Sequence, residues 1–389
     1  MMYQQFFLAL LQWICLVLTI GGSIYLVLCP FAVFRFRTRK EKTSRLSFSR
    51  WPPVTILKPV CGVEKEQKVN LRSACLQDYP KFQTVFSVQD PDDPVIPLLK
   101  EIEREFGPEK VSVVIDHCQA GPNFKINNLL AALPHALYDF LVISDSDVYL
   151  NSDYLKTIIA PLADPEVGFV CTLYKAKSAN RWFEKMELLT LNADFIPSVI
   201  FAYVSRASKF CLGCSVALRR DSLKEIGGLT SLSDYLAEDY EMGRHLWASG
   251  KRMVLVPYIV DITIDLKDFS QWWNHQVCWD QKTRAAKPAG FFASIVTRSY
   301  PFALLFAVSR MGDTLGVAIL IGVLGLRLAT AAVVMAWGLG GREGVKSLAL
   351  LPLRDIAGLV SWALAFTKKR VIWRRSEFIL TRDGRLRSL

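Results

Sequence analysis

The chain predicts an α/β domain with a mostly parallel sheet, flanked by transmembrane helices. From about Val54 to Tyr258, short β-rich runs alternate with amphipathic helical patterns, the periodicity of βαβ units. Apolar stretches of spanning length lie before and after that region. The whole chain of 389 residues is 51% hydrophobic, with a mean hydropathy of +0.24, high for a soluble protein.

Phe6 to Phe34 is nearly continuous apolar sequence, broken only by Gln12, the Gly21-Gly22-Ser23 step and Pro30. It is long enough to span a bilayer and longer than a signal-peptide core. No basic residue precedes it, and Arg35, Arg37, Arg39, Lys40 and Lys42 follow it. The positive-inside rule then places the amino terminus outside and the next domain in the cytoplasm. A cleaved signal peptide is the competing reading, but it lacks a basic leader and a small-residue cleavage site.

Val54–Lys58, Thr84–Gln89, Val111–Ile115 and Phe140–Ser144 read as strands, with helices near Glu64–Leu76, Val95–Phe106 and Lys125–Leu137. Ligands collect beyond the carboxyl ends of such strands. Asp90, Asp92 and Asp93 follow the second strand, and Asp145 and Asp147 follow the fourth. Two carboxylates at i and i+2 suit a hard cation, Mg²⁺ or Mn²⁺, that neutralises a diphosphate; a solvated turn is the competing reading. Near Asp93 the competing reading is a cap for a helix opened by Pro94. Asp239, within Glu238-Asp239-Tyr240-Glu241 on a helical pattern, suits a general base. Glu238 and Glu241 are expected to be solvated charges. Neither G-x-x-x-x-G-K-[ST] nor G-x-G-x-x-G follows a strand, which argues against a nucleoside triphosphatase or a dinucleotide-dependent oxidoreductase.

An Asp after the second strand, an Asp-x-Asp after the fourth and a Glu-Asp on a later helix resemble the order in membrane-bound inverting glycosyltransferases of the GT-A fold, nucleotide-diphospho-sugar transferases with a Rossmann-like catalytic domain. The phrases Leu57-Lys-Pro-Val-Cys-Gly62, Asp78-Tyr-Pro80, Val88-Gln-Asp-Pro-Asp-Asp-Pro94, Lys125-Ile-Asn-Asn-Leu129, Gly227-Gly-Leu229 and Ala237-Glu-Asp-Tyr240 are similar to the ceramide glucosyltransferase-like family, which includes bacterial hopanoid-associated enzymes. The resemblance implies that Asp90 and Asp93 serve the nucleotide, Asp145 and Asp147 the metal, and Asp239 the proton transfer, with Asp145 and Lys125 near the sugar nucleotide. It also implies transfer of a hexose or N-acetylhexosamine from a UDP-sugar to a lipid hydroxyl by inverting single displacement. Expected partners are the donor, a ceramide-like or hopanoid lipid and the bilayer.

The family's last motif, Gln or Arg, two residues, then Arg-Trp, is altered. In Trp272-Trp-Asn-His-Gln-Val-Cys-Trp-Asp-Gln-Lys-Thr-Arg284 either alignment lacks the motif's Arg. Gln276, Trp279 and Arg284 are the candidates for the acceptor and diphosphate side, with Lys282 a further cation. Interfacial anchoring is the competing reading of the tryptophans. Beyond it, Leu315–Trp337 and Leu348–Phe366 are apolar apart from Arg327, Arg354 and Asp355, and Phe291–Val308 is interrupted by Arg298 and Pro301. Leu191–Val204 is either core or a bilayer contact of the catalytic domain.

The expected organisation is a transmembrane helix at 1–35, a GT-A domain at 50–285, membrane segments at 286–370 and a basic cytoplasmic tail at 371–389. The net charge of +11 gathers beside apolar stretches, with Lys368, Lys369, Arg370, Arg374 and Arg375 near the end. That pattern fits anionic headgroups rather than nucleic acid. Nine scattered cysteines fit a reducing compartment, and Cys211-Leu-Gly-Cys214 lacks the partners of a zinc site. The location follows as a multi-pass protein of a bacterial inner membrane or of Golgi or ER membranes. A processive polysaccharide synthase and a catalytically silent membrane scaffold are the alternative functions.

Overall fold

The computed structural model describes residues 2–38, 48–207, 211–341, 343–368, 370–373 and 376–388. The basic residues Arg39, Lys40, Lys42, Lys369, Arg374 and Arg375 lie outside the described residues. The chain forms two compact units. One comprises Met1–Thr38, Lys177–Ser205 and Leu266–Ser376; the other comprises Arg39–Ala176, Arg206–Asp265 and Glu377–Leu389.

The second unit is built on an eight-stranded mixed sheet. Its strands are β1 (Val54–Pro59), β2 (Phe82–Val88), β3 (Val111–Ile115), β4 (Phe140–Ser144), β5 (Val148–Tyr149), β6 (Val167–Ala176), β7 (Ser215–Arg219) and β8 (Arg252–Ile262), in spatial order β3-β2-β1-β4-β7-β6-β8-β5. β3, β2, β1 and β4 run parallel, and β7 runs antiparallel between β4 and β6. Every residue of β1 and β2 is buried, as apolar runs covered on both faces should be. Leu99 and Ile102, three apart on helix Ile96–Phe106, pack with Phe86, Leu71 and Val60, and Gly107, at φ 85°, ends that helix. The β-runs and helices expected on either side of the acidic strand ends are thus present, with the mixed pairing confined to the second half of the sheet.

Part of the expected tail is folded into this unit. Strands Ser376–Leu380 and Leu386–Ser388 pair antiparallel. The Leu386 N–H donates to the Asp234 carbonyl at 2.7 Å, and the Leu236 N–H donates to that of Gly384 at 3.2 Å.

The first unit is helical. Four of its helical runs, Met2–Thr38, Trp182–Val204, Thr314–Gly338 and Glu343–Thr367, are long and apolar enough to cross a membrane, and Pro288–Thr297 with Ser299–Ser309 forms a pair bent by 56°. Phe6, Phe7, Trp13, Ile20 and Phe31 are exposed on the first helix, as residues facing lipid would be. The Gly21-Gly22 step has a packing reason: a Cβ on Gly22 would lie 2.7 Å from Ser299 Cβ. Lys177–Ser205, inside the range expected for the catalytic domain, groups with these apolar helices. Arg327, Arg354 and Asp355, which interrupt the last two apolar runs, are paired, because a lone ion inside an apolar bundle is expensive. Arg327 donates to Asp355 Oδ2 and Oδ1 at 2.8 and 3.0 Å.

Candidate active site

Asp145 and Asp147 stand in the turn that joins β4 to β5. The Asp145 N–H donates to the Cys214 carbonyl at 3.1 Å, and the Asp147 carbonyl accepts from the Thr263 N–H at 3.1 Å, so both ends of the turn are tied to neighbouring segments. Beneath it lies Lys58, wholly buried at the carboxyl end of β1. Its Nζ donates to Asp145 O at 2.7 Å, Val148 O at 3.1 Å and Ser144 Oγ at 3.3 Å. Burial lowers the Lys58 pKa to about 8, against the opposing pull of Asp147 and Asp145. Burial, with Asp145 and Glu64, pushes the Asp147 carboxyl up to about 7. Glu64 itself accepts from Ser146 Oγ at 3.0 Å.

Asp239 and Lys125 converge on Gly213. The Gly213 N–H donates to Asp239 Oδ2 at 3.0 Å, and Lys125 Nζ donates to the Gly213 carbonyl at 3.0 Å. A Cβ at Gly213 would lie 2.6 Å from Asp239 Oδ2, so this approach requires glycine. Lys125 Nζ also reaches Asp145 Oδ1 at 2.6 Å and Glu238 Oε1 at 3.3 Å. Burial opposes the Lys125 charge, but Asp145 and Glu238 outweigh it and hold the pKa well above the usual lysine value. One ammonium therefore links the Asp-Ser-Asp turn to the helix Glu238–Ala248 that carries Asp239.

The expectation for Glu238 and Glu241 is overturned. Both are buried on the first turns of that helix, Glu238 against Lys125 and Glu241 against Arg244 at 2.6 Å. The acidic pattern reads as a solvated face only until the packing of the preceding segment is known. Lys58 and Gly213 were missed as functional candidates, although the phrases Leu57–Gly62 and Cys211–Cys214 contain them. A charged residue inside an otherwise apolar β-run was the available signal for Lys58.

Asp93 is buried with both carboxylate oxygens on backbone donors, Gly62 N–H at 2.8 Å and Val95 N–H at 2.9 Å. It clamps the loop after β1 to the loop after β2. Asp90 is exposed and accepts from the Asp92 N–H at 2.9 Å. Cys211 Sγ lies 3.5 Å from Cys171 Sγ, and none of the nine cysteines is in a disulfide.

Gln276, Trp279 and Arg284 lie on helix Phe269–Ala286 of the other unit. Gln276 is buried and donates to Glu187 Oε2 at 2.6 Å, Trp279 packs on Phe195, and the Arg284 guanidinium lies over the Phe366 ring. Their assignment to acceptor or diphosphate rests on the motif alone.

Among the described residues no three His, Cys, Asp or Glu side chains converge to form a closed metal site. The donor set nevertheless suits a hard cation. Asp145 and Asp147 are two oxygen ligands one residue apart, and a Mg²⁺ or Mn²⁺ site of this kind completes its shell with water and phosphate.

The sequence profile of glycosyl transferase family 21 matches residues 14–386. Ceramide glucosyltransferase 3 of Caenorhabditis elegans is 24% identical over 237 residues, 60% of this chain and 50% of the relative. Ceramide glucosyltransferase of Candida albicans is 34% identical over 123 residues, 28% of this chain and 22% of the relative. The chain thus spans about half the length of the first relative and less of the second. A mannosyltransferase from Pyrobaculum calidifontis, solved in complex with GDP-Man and Mn²⁺, superposes with a TM-score of 0.57 at 18% identity, covering 91% of this chain and 98% of that one. That likeness is one of fold.

Proposed function

Because the chain belongs to glycosyl transferase family 21, we propose that it transfers a hexose or N-acetylhexosamine from a UDP-sugar to a hydroxyl of a membrane lipid, ceramide-like or hopanoid, with inversion at the anomeric carbon. The observation that carries this reading is the Lys125 ammonium, which joins the Asp145 carboxylate to the segment that holds Asp239. Asp145 and Asp147 would hold Mg²⁺ or Mn²⁺, which supplies charge to stabilise the departing diphosphate. Lys125 adds a fixed positive charge at the same place. Asp239, oriented by the Gly213 N–H, takes the proton from the acceptor hydroxyl. The hydroxyl oxygen then bonds to the anomeric carbon as the bond to the nucleoside diphosphate breaks. Asp93 acts on the nucleotide side by holding the two loops together, and Asp90 is placed in solvent for contact with base or ribose.

The asymmetry of Arg35 and Arg37 supports an outside amino terminus and a cytoplasmic catalytic unit. The test is incubation of purified protein with UDP-sugars and total lipid from its source, read by mass spectrometry. Asp145→Ala is expected to abolish metal-dependent turnover, and Asp239→Asn to abolish transfer while donor binding persists. Full transfer by either variant refutes the assignment, and absence of donor hydrolysis and transfer with every metal favours the scaffold reading.

A further inference from the structure

Within the unit of apolar helices, the first helix, Met2–Thr38, and the helical run Thr314–Gly338 lie side by side and point the same way. Leu16 and Ile319 pack on one cluster with Phe302 and Phe306, the Thr330 hydroxyl donates to the Leu26 carbonyl at 3.1 Å, and Phe34 stacks on Trp337 at 5.5 Å. Alongside the first two of these contacts the helices part around a groove of about 640 Å³, within the roughly 300–1,000 Å³ of small-ligand sites. Its walls run from Leu16 to Leu28 on the first helix and from Ile319 to Leu326 on the second.

The groove is apolar because its hydroxyls are satisfied within their own helix. Thr19 Oγ1 donates to the Cys15 carbonyl and Ser23 Oγ to the Thr19 carbonyl, each at 2.7 Å. Water needs about two to four polar partners, which these walls do not offer, so hydrocarbon is the fitting occupant. Small residues open the space. At Gly338, where the same helices touch, a Cβ would lie 2.7 Å from Val33; at Gly322, in the groove, it would meet no atom of the described residues within 4 Å. Glycine between membrane helices ordinarily permits close approach, whereas Gly322 leaves room.

Ile20, one of the lipid-facing residues of the first helix, forms part of a wall, so the groove is continuous with the surface that meets the bilayer. Leu16 to Leu28 covers about 18 Å of helix, close to the ~15 Å of one leaflet, half of the hydrocarbon core. That is the depth one acyl chain occupies. About one turn before Leu16, Gln12 Nε2 donates to the Ser309 carbonyl at 3.1 Å, and the Arg310–Asp313 ion pair follows Ser309, giving a polar girdle with no net charge.

We propose that this groove holds one acyl chain of a bilayer phospholipid, with its head at the girdle of Gln12, Arg310 and Asp313. The balanced charge of the girdle makes occupancy depend on the chain rather than on the charge of the head. The site uses no residue of the sugar-transfer chemistry proposed above.

The test uses the full chain in detergent with a phosphatidylcholine that carries a photoactivatable diazirine on one palmitoyl chain, read by peptide mass spectrometry. Crosslinks are expected on Ile20, Ile24 and Ile319, saturating with dose and competed alike by unlabelled phosphatidylcholine and phosphatidylglycerol. Gly322→Leu fills the groove and should lower these crosslinks at least about tenfold, the effect on affinity of losing a few buried methylenes. Ser23→Leu fills it from the facing helix and should do the same. Gly325→Leu is the control: a Cβ there also meets no atom of the described residues within 4 Å, but the position lies outside the groove, so crosslinking should hold. Labelling that never saturates and falls equally on Phe7 and Phe31 overturns the site in favour of unspecific lipid contact. So do unchanged crosslinks in both filled variants, or stronger competition by a fused-ring sterol than by phosphatidylcholine. Saturation and competition in the unaltered protein decide the question even where neither filled variant folds.

Discussion

Asp147 carries a testable pH dependence. Its carboxyl is raised to about 7, so its contribution to stability is fully present below its unfolded value near 4 and is lost as pH rises through about 7. Lys58, lowered to about 8, stays charged across most of that window. The protein without added metal is expected to lose roughly 5 °C of Tm between pH 5 and pH 7.5. Mn²⁺ should restore it increasingly as the proton leaves, and thermal melts with and without metal across that range check this. Lys58 gives a second prediction at the same scale. Lys58→Met leaves the Asp145 and Val148 carbonyls without their shared donor and removes the positive charge that opposes the rise of Asp147, at a cost of about 3 kcal/mol. Denaturant unfolding measures that loss, and Mn²⁺ titration calorimetry should show a disordered metal site.

Among the elements, the hairpin formed by Ser376–Leu380 and Leu386–Ser388 has the clearest consequence. It accepts from Leu236 and donates to Asp234, just before the helix with Glu238 and Asp239, and Phe378 packs against Phe124 beside Lys125. Deletion of residues 377–389 is expected to lower transfer at least about tenfold through misplacement of these groups, with helix content by circular dichroism unchanged. The parallel strands were readable because β-branched and apolar runs ended at acidic or turn residues. The hairpin was not: its strands, Ser376–Leu380 and Leu386–Ser388, are short and sit in a basic stretch, and their contacts with Asp234, Leu236 and Phe124 come from segments distant in the chain.

For the whole molecule, charge bias after the first apolar helix predicts that the sheet-bearing unit faces the cytoplasm. Cys61 and Cys118, both partly exposed, should react with a membrane-impermeant maleimide in inside-out vesicles and stay protected in sealed right-side-out cells. The reverse pattern would invert the orientation. The sequence by itself determined the α/β class, the apolar helices and the acidic strand ends, because these follow from local period and from which residues close a strand. Tertiary structure alone decided that Glu238 is buried against Lys125, that Lys58 underlies the Asp-Ser-Asp turn, and that Arg327 and Arg354 answer Asp355 and Asp194. Those are pairings between segments distant in the chain, and the energy of a charge depends on the partner and solvent it finds in space, neither of which is written in its neighbours along the sequence.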